Sequence, residues 1–577
     1  MGRILENKVA RVAACAAWVI ALSACGGGGG GGGAPVFPPM ATQPSAPDDA
    51  PNSPPSANSA APADTTASLP AGNPAAPVDP SASPPPAGPA PTEGPTVPEA
   101  PAQQPVLQSI VPSASVAAQC AVPRTGVDPD TGAPFADRKG TLDHEKDWVR
   151  AWIDETYLWF DEVPNTLLAR DYATPIAYFD VLKTPKLTAN GQPKDRFHFT
   201  ANTEQARAMA RDGSGIGYGV EFAFLNTSPP RDVRVAFVEP SSPAAQATLA
   251  RGDRLVEIDG IDVLNSTNTD ALNAAVMPQR EGEQHNFKLR ANDGSERNVT
   301  LTSASISREP VPLLDAFQAG NKYVGYLLFN DHTAAAEYSL VYAMEVLQFI
   351  GVTDLVIDMR YNGGGYLDIA SELAYMVSSG AATQGKTFEQ VLYNSKNPFK
   401  LKPEDTKVPF HAATLGYSAQ PGYPLPQLGL SRVVVLSGPD TCSASESLVN
   451  SLRGIGVVVD LVGGRTCGKP YGFTPQDNCG TTYYAIQFQG VNDRGFGDYG
   501  DGFAPTCAVA DDFTHALGDP AEARLAAALK LLGGGACPTP PAVGKGVAAM
   551  RKAEAERVPY LVRSPLRESR LLGRTAR

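Results

Sequence analysis

Between residues 322 and 462, strand-like and helix-like runs alternate: strands at 323–328, 354–358, 432–437 and 457–462 are separated by helices at 334–351, 367–378 and 445–452. That order predicts an α/β domain with a substantially parallel sheet. In such sheets ligands lie at the carboxyl ends of the strands. The chemistry is therefore expected in the loops that follow residues 358, 437 and 462.

The rest of the 577 residues is organised around that domain. Arg3, Lys8 and Arg11 precede an apolar run at 12–22, too short to span a bilayer and proportioned like the core of an export signal. The run ends Leu22-Ser23-Ala24-Cys25, which resembles the lipobox of bacterial lipoproteins. The resemblance implies removal of 1–24 and lipid on the Cys25 sulfur; an ordinary secretory signal with an incidental cysteine is the competing reading. Residues 26–33 are all glycine, and 25–118 is rich in Pro, Ala, Ser and Thr with no Lys or Arg. That composition cannot bury enough apolar surface to fold and reads as a tether. No second segment is long and apolar enough to cross a membrane, so the expected setting is the periplasmic side of a bacterial envelope, lipid-anchored, with the outer membrane favoured.

Lys+Arg 47 against Asp+Glu 60 gives −13, which leaves no general electrostatic footprint for nucleic acid. Cys120, Cys442, Cys467, Cys479, Cys507 and Cys537 allow up to three disulfides in an oxidising compartment, with 15 pairings open; their spacing is too irregular for zinc. The last segment, 541–577, holds nine Lys/Arg against three acids from residue 543 on, a charge of +6. It is either a basic tail that docks on an anionic surface or, as the favoured reading, a solvated terminus.

Residues 119–212 read as a helical domain, with Trp148, Trp152, Tyr157, Trp159 and Phe160 near helical spacing and Pro164 ending the run. From 213 to 306 the pattern changes to short β-branched runs divided by turns, with one helix at 269–276. Ser242-Pro243-Ala244-Ala245, followed by Leu249-Ala250-Arg251-Gly252-Asp253-Arg254 and the Asp259-Gly260 turn, resembles a PDZ domain. The resemblance implies a carboxylate-binding loop at Gly215, Ile216, Gly217, Tyr218, Gly219 and Val220, whose backbone N–H groups would capture a chain terminus. Phe222 and Phe224 are candidate pocket walls or plain core.

The loop after residue 358 runs Asp358-Met359-Arg360-Tyr361-Asn362-Gly363-Gly364-Gly365, and its glycines leave N–H groups open to an oxyanion. No Gly-Lys-Ser/Thr ending supports a phosphate loop. The next reads Thr441-Cys442-Ser443-Ala444-Ser445-Glu446, a strand-to-helix turn. There Ser443 is either an N-cap, in a capping box with Glu446, or a nucleophile. The third delivers Lys469 beside an apolar strand, where a desolvated neutral amine can take a proton from a serine hydroxyl.

In combination these three loops resemble the C-terminal processing peptidases, tail-specific serine proteases with a PDZ domain. The resemblance implies an α+β multidomain chain: an N-terminal helical segment, a β-rich PDZ domain at 213–306 and an α/β, crotonase-like ββα serine peptidase domain at 307–540. It implies Ser443 as nucleophile, Lys469 as general base, and N–H groups of Gly364 or Gly365 and of Ala444 as the oxyanion hole, with no cofactor and no metal. Substrates would be protein chains, captured by their C-termini. Ser445 is the rival nucleophile and His332 the rival base. Two departures stand out: the Ser443 to Lys469 interval of 26 is about one residue longer than the family's usual spacing, and Phe473 occupies the place of an orienting glutamine, for which Gln476 is the nearest substitute; Cys442 and Cys467, also unusual, flank the two active residues, where a disulfide would brace them. The alternative function is an inactive PDZ-bearing scaffold.

Overall fold

The computed structural model describes residues 110–226, 229–538 and 570–571; the export signal, Cys25 and most of the tether lie outside them. The expected tether boundary at 118 is too late. Ser113–Val116 form a helical turn, Ser113 donates its N–H and hydroxyl to the Glu155 carboxylate, and Val116 and Ala117 pack on buried aromatic residues. Apolar side chains return to the Pro/Ala-rich composition there, and the folded body begins with them.

Helix α1 (Leu142–Thr156) is capped by the Thr141 hydroxyl, which accepts the His144 N–H, and carries Asp143 and Glu145 in its first turn. It stops at Thr156, before the expected end of the aromatic run. Tyr157 is extended, and its hydroxyl donates to Asp195 and accepts the Thr184 N–H. Trp148 and Trp152 pack instead against Phe179 and Tyr483. Strand β1 (Phe199–Asn202) and helix α2 (Thr203–Asp212) complete this part.

The middle part holds β2 (Gly215–Gly217), β3 (Val220–Asn226), β4 (Asp232–Val238), β5 (Arg254–Ile258), α3 (Thr269–Val276), β6 (Gln284–Arg290), β7 (Glu296–Thr302) and β8 (Ala304–Ile306). Its antiparallel sheet runs β7-β6-β5-β4-β3, which leaves β3 at the edge, while β2 pairs with β8 alone among the described residues. Phe222, Val233, Val235, Leu255, Phe287 and Leu289 fill the core under α3.

The last part holds β9 (Leu313–Ala319), β10 (Lys322–Leu328), α4 (Ala336–Ile350), β11 (Asp354–Asp358), α5 (Leu367–Val377), β12 (Arg432–Ser437), α6 (Ala444–Gly454), β13 (Val458–Gly463), β14 (Thr481–Tyr484), β15 (Cys507–Ala508) and α7 (Ala523–Leu532). The central sheet runs β9-β10-β11-β12-β13-β15; β9 and β10 are antiparallel and every other pair is parallel. Leu355, Ile357, Val433 and Val435 face α4, α5 and α6, while Val356, Val434 and Leu436 face α7. Cover on both faces is why these strands read as unbroken apolar runs. Leu328 pairs with Asp358, Asp358 with Leu436 and Leu436 with Val462, so the strands end level and three loops share one rim. β14 pairs with β1, which ties the first part to this domain. The disulfides are Cys120–Cys479, Cys442–Cys467 and Cys507–Cys537.

Candidate active site

On the rim, β12 turns into α6 through Thr441. The Thr441 hydroxyl donates to Met359 O and accepts the Gly438 N–H, and the Cys442 N–H donates to Asn362 O. These bonds press Ser443 into φ +61, ψ −115, a region that residues with a Cβ rarely enter. Ser443 is wholly buried, and among the described residues its hydroxyl has no hydrogen-bond partner. The Ser445 hydroxyl is already committed to Asn362 O at 3.1 Å.

Glu446, expected only as a helix-capping side chain, organises the junction. Its carboxylate accepts the N–H groups of Ser443 (3.1 Å), Gly468 (2.8 Å) and Lys469 (2.8 Å), and the Thr466 hydroxyl at 2.5 Å. Burial raises its pKa, and these donors oppose that rise. One carboxylate thus joins the loop carrying the serine to the loop carrying the lysine. The Cys442–Cys467 disulfide joins them again, and the Cys467 N–H donates to Thr441 O. Composition offered no signal for this role, because a capping-box Glu and a two-loop clamp read alike in sequence.

Lys469 is 1% exposed, and its Nζ lies 4.5 Å from the ring centre of Phe473 and 4.8 Å from that of Phe197. The residue in place of the expected glutamine is therefore a wall of the lysine's chamber, and the first part of the chain supplies the opposite wall. Neighbouring Arg196 donates to Cys467 O at 2.6 Å. Gln476 does not take the orienting role. It is exposed in the short strand Gln476–Asn478, and its amide nitrogen turns to Asp477 O.

The glycine loop rests on buried charge. Arg360 is bonded to Asp358, Asp511 and Glu522, and Tyr326 donates to Asp358. Asn362 Oδ1 accepts the Gly364 N–H at 3.0 Å, which corrects the expectation that Gly364 could serve the oxyanion hole. Gly365 and Ala444 remain. Gly364, at φ +107, must still be glycine: a Cβ there would lie 2.7 Å from Ser443 Cβ and 2.9 Å from Ala444 N. His332 is buried below this loop. Its Nδ1 meets Asn362 Oδ1 at 3.0 Å, its backbone bonds Gly364 O and the Tyr366 N–H, and burial pushes its pKa down to about 3. It braces the loop as a neutral ring, with no bond to Ser443.

In the middle part, Gly215, Ile216 and Gly217 are not an open loop; they form β2, paired with Ile306, Ser305 and Ala304. Tyr218 turns into the core and its hydroxyl donates to Ala275 O. Gly219, at φ +73, packs so tightly that a Cβ would lie 2.2 Å from Ser242 Cβ, and Val220 opens β3. The same six residues nevertheless line a cavity of about 600 Å³, together with Phe222, Phe224 and Val276, and with Ala201, Gln205 and Met209 from the first part. Arg251, from the PDZ-like motif, reaches Asp511 at 2.7 Å and the hydroxyl of Tyr361, next to Asn362, at 2.9 Å.

Three family models match the chain: the peptidase family S41 over residues 323–487, the peptidase S41 N-terminal domain over 144–199 and the PDZ domain over 211–302. Relatives include a carboxyl-terminal-processing protease of Picosynechococcus, 29% identical over 46% of this chain and 58% of that protein. Another is the carboxy-terminal processing protease CtpB of Bacillus subtilis, 27% identical over 45% of this chain and 47% of that one. The chain thus spans about half the length of the curated relatives it matches. A crystal structure assigned as an S41 protease from Bacteroides fragilis shares the fold, with TM-score 0.51 and 22% identity over 67% of this chain and 97% of that one.

Proposed function

The chain belongs to peptidase family S41, and from that premise we propose that it is a serine endopeptidase that cuts protein chains with Ser443 as nucleophile and Lys469 as general base. The observation that carries this reading is the shared Glu446 carboxylate. It fixes the backbone of both residues on one rim and leaves the strained Ser443 hydroxyl unbonded. In the reaction, Ser443 Oγ attacks the scissile carbonyl carbon and its proton passes to the neutral Lys469 amine. The carbonyl oxygen, now negative, lies toward the N–H groups of Gly365 and Ala444 at the N-terminus of α6, where the helix dipole favours it. The lysine returns the proton to the departing amine, and water then cleaves the acyl-serine by the same path. The cavity lined by Gly215, Ile216, Gly217, Tyr218, Gly219 and Val220 takes the substrate's C-terminal segment against edge strand β3. Lipid on Cys25 would hold the enzyme at the periplasmic face of the envelope, so Cys25→Ser should move it from the membrane to the soluble fraction.

The hydroxyl makes no hydrogen bond to the lysine, and this favours a second reading: a non-hydrolytic scaffold on the same fold. One experiment separates the two. The full chain is incubated with an unfolded protein, and products are followed by mass spectrometry. Cleavage that disappears in Ser443→Ala is the expected result; an intact substrate in both supports the scaffold.

A further inference from the structure

The basic tail has no part in the reaction above, yet its residues Arg570–Leu571 form a parallel pairing with Gly365–Tyr366, Arg570 opposite Gly365 and Leu571 opposite Tyr366. Gly365 is the residue whose N–H is assigned to the oxyanion. The residues around it are closed as well: Ser443 is 0% exposed and Lys469 1%. We propose that the Gly365–Tyr366 edge is a docking site for an extended peptide, and that its occupant is this chain's own C-terminal segment, which shuts the catalytic cleft from within.

Three further features fit that occupant. Pairing of this kind uses main-chain groups and asks little of sequence. Cys537 is fastened to Cys507 in β15, at the edge of the central sheet, so the tail departs from a fixed point, and the 32 residues between Cys537 and Arg570 give ample reach. An attached segment faces its site at an effective concentration of roughly millimolar, so a contact of few residues suffices. The tail's +6 lies in a chain of −13, so the remainder carries −19 and attracts it.

Docking does not depend on catalysis; only its inhibitory consequence rests on the peptidase reading. The test therefore has two arms, both in the full chain. In the first, a fluorescein-labelled peptide of residues 563–577 is titrated against Ser443→Ala with and without Arg570→Pro/Leu571→Pro, since proline removes the N–H groups a strand needs. At least tenfold tighter binding to the proline variant is expected, because the internal occupant is gone. Equal affinity, or no binding to either, overturns the proposal. In the second, with Ser443 retained, a fluorophosphonate probe should label the Arg570→Pro/Leu571→Pro chain on Ser443 at least tenfold faster than the unsubstituted chain. Equal labelling rates overturn the closure. Peptide binding as expected with no labelling of either chain leaves docking standing and removes Ser443 as nucleophile. The milder Leu571→Gly repeats both arms should the double proline perturb folding.

Discussion

Glycine-rich segments line both the rim of the central sheet and the cavity of the PDZ domain, but the two are built to different tolerances. On the rim, Ser443, Gly468 and Lys469 donate to one carboxylate, a disulfide ties the same two loops, and Gly364 has no room for a methyl group. In the PDZ domain the Gly215–Gly217 strand has, among the described residues, one partner strand, and the cavity borrows one wall from the N-terminal part. Proton transfer needs atoms fixed to a fraction of an ångström, whereas capture of varied chain ends tolerates, and benefits from, walls that adjust.

If that contrast holds, damage to the rim should cost far more than damage to the cavity. Glu446→Ala strands three backbone N–H groups and the Thr466 hydroxyl, each worth about 1–3 kcal/mol when left buried and unpaired. We expect turnover to fall at least a hundredfold and the melting temperature by roughly 10 °C, with Glu446→Gln recovering part of the stability. Full activity in the alanine variant would break the comparison.

The disulfides sharpen it. Cys442→Ala/Cys467→Ala should lower kcat about tenfold with KM unchanged and cost roughly 3 kcal/mol of stability. The same replacement at Cys507 and Cys537, which join neither the serine loop nor the lysine loop, should leave kcat as it was in steady-state assays. On the cavity side, Gly219→Val pushes a side chain into Ser242. It should raise KM for a protein substrate only a few-fold, as should amidating that substrate's C-terminus; equal KM for free and amidated substrates would remove terminus recognition.

The smallest effect belongs to the junction between the two regions, where Asp331 lies buried near Arg308 and Glu239, its pKa pushed by burial up to about 7. The folded protein keeps that proton until about pH 7, while the unfolded chain loses it near the ordinary value of 3.8. The stability it contributes is therefore complete below about pH 4 and lost as pH rises through 7. Asp331→Asn should flatten this portion of the melting curve between about pH 4 and 7, a change of a few degrees at most; an unchanged slope would show that Asp331 does not titrate there.

Much of the rim was legible because its chemistry sits at the ends of periodic elements. The alternating runs placed Asp358, Ser437 and Val462 at the sheet's edge, and glycine, serine and lysine followed each in turn. Tertiary contacts hid the rest. Phe197 walls Lys469 from 272 positions upstream, which no local pattern reports. Gln476 was the nearest amide in sequence but faces solvent on its own short strand. Gly364 looked available until Asn362, two residues earlier, folded back onto its N–H. The helical reading of the aromatic run, taken to end at Pro164, overran at Tyr157 because the aromatic spacing continues while the backbone turns to meet Asp195. The tail's composition named its charge and nothing of the strand edge it would find.

The central claim is that Ser443 and Lys469 act as one unit. A double-mutant cycle on kcat/KM with Ser443→Ala, Lys469→Ala and the pair tests it most directly. Residues that share one step are grossly non-additive, so both single variants and the double should fall to the same residual rate. A Lys469→Ala enzyme that keeps most of its activity, or losses that multiply in the double variant, would contradict the dyad.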